Sequence, residues 1–202
     1  MLTRRSTLGA LFTLPLAPAL TRPGLLPWHT RLIRAAREQI GVTLTYDPAY
    51  IGLAYPGGDV DRSKGVCTDV VIRAYRDAFT FDLQKVVHED MKQNFARYPK
   101  TWGLSRPDKN IDHRRVPNLE TYLKRQNAEL DVPASPKDWK PGDLYTMRLG
   151  GRLPHIGIVS DVRAPSGRYK IVHNIGAGTA QDDLIGQHKN ERRFRFQPPK
   201  IA

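Results

Sequence analysis

The chain contains one cysteine, Cys67, in the stretch KGVCTDVVIRAYR at residues 64–76. It follows Gly65 by two residues and opens a segment with apolar residues at helical spacing. A cysteine is a nucleophile as the thiolate, whose ordinary pKa of about 8.5 falls at helix N-termini or beside an imidazolium. At a helix start the sulfur lies near unpaired backbone N–H groups, which also suit a developing oxyanion. A small buried hydrophobe is the bland alternative for a free cysteine. The polar Thr68-Asp69 pair that follows favours the reactive reading.

A thiol nucleophile needs a base and a group that orients the base. Of the six histidines, His29 and His88 read as solvated helix-surface residues, and His188 as exposed among charges. His113 sits in a basic loop that its ring can order. His155 and His173 are different, because each falls in a predicted strand, in HIGIVSD and IVHNIG. Strands joined by the 164–167 turn run antiparallel, so the start of one meets the end of the other. That pairing brings the two imidazoles together as base and orienter. A purely structural pair of cross-strand histidines is the competing explanation.

Elements must hold these residues in place. Apolar spacing predicts helices over 28–40, over 66–78 and, capped by Asp82, from 83 to about 95. Asn118 reads as the cap of a short helix through Arg125. Residues 143–149, 154–162 and 168–174 read as strands, with turns at Gly150-Gly151 and 164–167. Phe194 and Phe196 alternate with arginines and suggest a final edge strand. Helices first and an antiparallel meander after them make an α+β fold.

Composition bounds the rest. A chain of 202 residues suits one domain, and 16 prolines with 16 glycines point to turns rather than a bundle. The formal net charge of +12 invites an anionic partner. The basic residues are scattered, without an RNP motif, zinc finger or recognition helix, so nucleic acid is not expected. Residues 1–19 have an arginine-bearing start, a short apolar run and an Ala-Pro-Ala end, the layout of a signal peptide. The paired arginines of TRRSTL resemble a twin-arginine export signal. An uncleaved anchor is the alternative. The expectation is an exported, periplasmic protein whose mature domain spans 20–202, with no stable membrane insertion after cleavage. A lone cysteine in an exported chain is an intermolecular bridge or a thiol with a task.

Other patterns fail on inspection. In a calcium loop starting at Asp59, Lys64 and Val70 stand where glycine and glutamate are required. GAGTAQ at 176–181 misses the dinucleotide fingerprint, and no HExxH motif is present. No metal or other cofactor is expected.

Cys67 at a helix start, Pro141-Gly142-Asp143 entering a strand, HIGIV, and a polar residue on the next strand resemble the NlpC/p60-type branch of papain-like cysteine peptidases. The resemblance implies N-terminal helices packed on a small antiparallel sheet, and hydrolysis of amide bonds in peptidoglycan stem peptides. YDPAY, AYPGGDV, GVCTDVVIRAYR, NIDHRRVPNL, HIGIVSD and HNIG together resemble DUF1287, a bacterial family placed near that group, over most of residues 28–198. Carried onto this sequence, Cys67 is the nucleophile, His155 the base and His173 the third residue. Asn174 competes for the third role, although alternation turns it to the other face. Tyr55 resembles a tyrosine that lies over the cysteine and donates to the oxyanion. The family pattern D-C-S is replaced here by V-C-T-D. Asp69 therefore suits the helix dipole, a substrate amine, or pairing with Arg114 or Arg115. The loop NIDHRRVPN, with Arg115, is a candidate for carboxylate recognition. The expectation is a monomeric hydrolase acting on peptidoglycan or another anionic envelope substrate. The alternatives are a thiol acyltransferase on the same fold and an inactive cell-wall-binding module.

Overall fold

The amphipathic segment WHTRLIRAAR forms helix α1 (Trp28–Arg37), which buries Leu32, Ile33 and Ala36. The structure, a computed structural model, describes residues 26–199. The signal-peptide reading of residues 1–19 lies outside them. Helix α1 stops three residues before the predicted end. Gln39, already in the turn, donates its amide to Val70 O at 2.9 Å. Helix α2 (Cys67–Phe79) presents Val70, Val71 and Ala74 inward. Arg73, expected on its polar face, is fully buried. Its guanidinium grips the Asp59 carboxylate at 2.9–3.0 Å and donates to the carbonyls of Val60 and Lys64. Acceptors for the fork make burial of this cation tolerable.

Helix α3 (Leu83–Asn94) starts as expected, with Asp82 accepting from Gln84 N at 3.1 Å. Helix α4 (Val116–Arg125) begins earlier than expected, with Pro117 in its first turn. Asn118 is therefore not its cap. It is buried inside the helix and donates to Asp112 O at 3.1 Å. Two short strands ahead of α2, β1 (Thr45–Tyr46) and β2 (Lys64–Gly65), pair in parallel.

The C-terminal half supplies the sheet. Strands β3 (Glu129–Leu130), β4 (Leu144–Leu149), β5 (Leu153–Arg163), β6 (Tyr169–Asn174), β7 (Thr179–Asp182) and β8 (Lys189–Phe194) pair antiparallel in the order β3-β8-β4-β5-β6-β7. The fold is α+β. Strand β8 lies between β3 and β4 rather than at an edge. Its arginines read as a solvated edge, but they have carboxylate partners. Arg193 and, just beyond the strand, Arg195 both bind the buried Asp143, at 2.7 and 2.8 Å.

Alternation sorts the sheet into two faces. Leu144, Ile156, Ile158, Val172 and Phe194 join the helices in the main core. Tyr145, Met147, Val159 and Ile171 face a second core closed by Trp139 and Ile185. Each fully buried Leu or Ile contributes about 1.5–3 kcal/mol, so both faces anchor β5. Among the described residues, no helix is long and apolar enough to cross a membrane.

Candidate functional site

Cys67 is the first residue of α2, and the turn before it fixes its position. The Asp69 side chain folds back so that Oδ2 accepts from Val66 N at 2.7 Å. A Cβ at Gly65 would lie 3.0 Å from that same oxygen, which accounts for glycine two residues ahead of the cysteine. Arg114 closes the arrangement, its Nε and Nη2 donating to Asp69 at 3.0 and 2.9 Å. Asp69 is thus a buried cap and ion-pair partner. All its hydrogen bonds are internal, so the expected substrate amine has no place on it. Pairing with Arg114, the other expectation, is what forms.

The thiol is 4% exposed. The backbone N–H groups of Ile156, and of Thr68 and Cys67 at the helix start, lie near its sulfur and favour the thiolate. The Ile156 N–H belongs to the peptide unit that joins it to His155. The nucleophile candidate therefore lies beside the strand that carries the candidate base. No hydrogen bond joins thiol and imidazole among the described residues. His155 sits opposite Met147 in the β4–β5 register and rises from the second-core face, whereas Ile156 and Ile158 face α2.

The two imidazoles meet. His155 Nε2 lies 2.9 Å from His173 Nδ1, with the rings edge to face. His173 Nε2 lies 3.1 Å from Asp182 Oδ2. A carboxylate only accepts, so His173 carries its proton on Nε2 and Nδ1 is free to accept. His155 then donates from Nε2, which leaves its own Nδ1 unprotonated and basic. Asp182 was not foreseen. It stands nine residues after His173 and reaches it only through the β6–β7 register, which pairs Ile171 with Asp182.

Asn174 turns to the other face, as alternation requires. It donates to Gly65 O at 3.0 Å and Thr45 O at 3.3 Å, tying β6 to the β1–β2 pair. It makes no bond to His155.

Burial sets the charge states. Desolvation pushes the Cys67 thiol up to about 12, with the Ile156 N–H opposing and Asp69 adding. Desolvation, then His173, pulls His155 down to about 3. His173 is lowered too, with Asp182 opposing its burial. The resting site is a neutral thiol beside neutral imidazoles. The low-pKa thiolate expected from the helix start does not form at rest, because desolvation outweighs the N–H groups.

A cavity of about 180 Å³ opens beside the sulfur, its walls including Tyr46, Trp102, Arg114, Arg115 and Pro154. Tyr55 is not among them. Its ring packs edge-on against His88, centroids 5.2 Å apart. The tyrosine beside the cysteine is Tyr46, whose hydroxyl burial and the nearby Cys67 push up to about 12. Sequence reading placed Tyr46 in an extended, turn-rich stretch and gave it no role. Trp102 was also missed, and nothing in its loop marks it. His88, expected on the surface, is buried with Nδ1 3.3 Å from Asp112 Oδ2. His113 is buried as well, its Nδ1 without a partner. No cluster of three or more His, Cys, Asp or Glu side chains suited to a metal occurs among the described residues.

Residues 33–196, which hold every one of these side chains, match the family described as "Domain of unknown function (DUF1287)". The chain belongs to the DUF1287 family. This DUF1287 chain is also similar to the uncharacterized protein YijF of Escherichia coli (strain K12). The two are 52% identical over 161 residues, which cover 80% of this chain and 78% of that protein.

Proposed function

We propose that this DUF1287 domain is an exported, papain-like cysteine hydrolase of NlpC/p60 type that cuts amide bonds in peptidoglycan stem peptides. The observation that carries the reading is the oriented His155 ring on the strand that packs against the start of the Cys67 helix. Cys67 lies in the same packed core as Ile156, the residue after His155, and the His155 ring is oriented by His173 and, through it, by Asp182.

The charge states set the order of events. Both groups are neutral at rest, so the thiol proton moves to His155 Nδ1 as sulfur bonds to the amide carbon. The oxyanion accepts from the N–H groups at the start of α2 and from the Tyr46 hydroxyl. His155, now imidazolium, gives its proton to the leaving amine as the C–N bond breaks. Water then attacks the thioester with His155 as base, releasing the acid and restoring the thiol. Wild type incubated with purified peptidoglycan should release peptide fragments resolved by mass, and Cys67→Ala should release none. Equal release by both, or none by either, refutes the hydrolase.

The burial of Cys67 and its raised pKa favour a second reading, a wall-binding module without turnover. That protein would sediment with peptidoglycan, leave it uncut and keep its thiol unreactive until unfolded.

A further inference from the structure

We infer that the cleft beside Cys67 takes a ligand bearing a free carboxylate close to the bond to be cut, and that Arg115 is the residue that reads it. The inference rests on the hydrolase reading for the word "cut" alone; the binding claim stands apart from it. Two cations line the cleft, Arg114 and Arg115. Arg114 is committed. Besides Asp69, its Nη1 donates to Ala49 O and its Nη2 to Asp47 O, both at 3.2 Å. The Arg115 side chain has no hydrogen bond or ion pair among the described residues. Its guanidinium lies 4.1 Å from the centre of the Trp102 ring.

The Arg115 guanidinium is half-buried with its donors open to the cleft, so an incoming acceptor meets a partly desolvated cation and forms a charge-assisted hydrogen bond. Burial lowers its pKa, with Asp112 and Asp108 opposing. Stacking on Trp102 fixes the guanidinium plane and leaves its edge for a planar, two-oxygen acceptor. A carboxylate fits that edge bidentately; a neutral amide supplies one oxygen. The neighbouring walls are apolar, among them Pro48, Ile111, Val116 and Pro117, which strengthens a charged hydrogen bond. At about 180 Å³ the cavity is smaller than the roughly 300–1,000 Å³ pockets of drug-sized ligands. It has room for one residue-sized group, so the carboxylate must lie within about a residue of the thiol.

A structural role for Arg115 is the rival explanation. It shares a cavity of about 10 Å³ with Asp112, whose Oδ1 has no protein partner. Binding separates the two. Both enantiomers of N-acetylalanine, and both of N-acetylalaninamide, would be titrated calorimetrically into wild type, Arg115→Lys and Arg115→Gln. We expect one enantiomer of the acid to bind wild type at least tenfold more tightly than its amide. Arg115→Gln should abolish that preference and Arg115→Lys keep part of it. Equal binding of acid and amide to wild type, no binding of either acid, or a preference unchanged in a folded Arg115→Gln protein overturns the inference. The wild-type comparison decides even if the variants fail to fold. An intact acid preference without peptidoglycan cleavage would refute the hydrolase reading alone.

Discussion

Alkylation of Cys67 by iodoacetamide, followed across pH, tests the neutral-thiol picture most directly. Burial carries the thiol from an ordinary 9.0 to about 12. Below its pKa, a thiol's ionised fraction grows tenfold per pH unit. At pH 7 the thiolate is then about one molecule in a hundred thousand, against about one in a hundred for a free thiol. The native protein should react about a thousandfold more slowly than the same chain in urea. From pH 6 to 9 its rate should climb about tenfold per unit with no plateau. The His155→Ala variant sharpens the test. The His155 imidazole is neutral above about pH 3, so it lends the thiol no charge. Its removal should leave the slope unchanged and raise the rate only through easier access. A sigmoidal profile with a midpoint below about 8 that moves upward in His155→Ala would refute the reasoning. It would mean a resting thiolate–imidazolium pair and a desolvation cost far smaller than the burial implies.

Other expectations follow from named contacts. Asp69→Ala should destabilise the fold by about 3–5 kcal/mol, because it leaves the Arg114 guanidinium buried and unpaired; a denaturant midpoint within error of wild type would refute this. Tyr46→Phe should lower peptidoglycan cleavage by about tenfold or more with an unchanged melting curve, if its hydroxyl meets the oxyanion. Tyr55→Phe should leave cleavage unchanged, and the reverse pattern would restore Tyr55 to the site. Acid should destabilise the protein: folded pKa values near 3 for His113 and His155, and a lowered His173, mean the unfolded chain binds more protons below about 6.5. Their stabilisation is complete above that pH and is lost as pH falls, by about 1.4 kcal/mol per unit for each of His113 and His155 down to about 3, with His173 adding in the same direction. Urea unfolding at pH 7, 6 and 5 checks it, and a flat profile would show that the rings are hydrated.

Much of the fold was legible because periodicity reports burial. Val70, Val71 and Ala74 marked α2, and the turn at 164–167 made His155 and His173 neighbours before any coordinates. The misreadings share a cause. His88 was assigned to solvent by type, yet it is buried, as are the charged residues Arg73, Asp112, Arg114 and Asp143. Each is buried with a partner far away in sequence, such as Asp69 for Arg114, 45 residues apart. Pairing of that kind is a property of the closed fold: the sequence offered Arg114 and Arg115 alike as partners of Asp69, and the fold selects Arg114. Tyr46 and Asp182 escaped notice in the same way, since each reaches the site through a strand register.

These long-range pairs also bear on how the site works. The Asp69–Arg114 pair, Gly65 and Asn174 hold the β1–β2 ribbon and the start of α2 as one unit around the thiol. The His155–His173–Asp182 chain is held by β5, β6 and β7, and Asn174 joins β6 to that unit. The two are not separate bodies: α2 also packs on β5 and β6 in one core. A ligand in the cleft touches the ribbon through Tyr46 and β5 through Pro154. An occupant of the cleft changes how far the thiol is desolvated, and with it a pKa that stands about a thousandfold from that of a free thiol. Reactivity toward iodoacetamide should therefore respond to a non-reacting occupant of the cleft by more than simple blocking allows. N-acetylalanine that accelerates alkylation would show an occupant changing the environment of the thiol, and one that only protects would show a fixed site with a permanently neutral thiol.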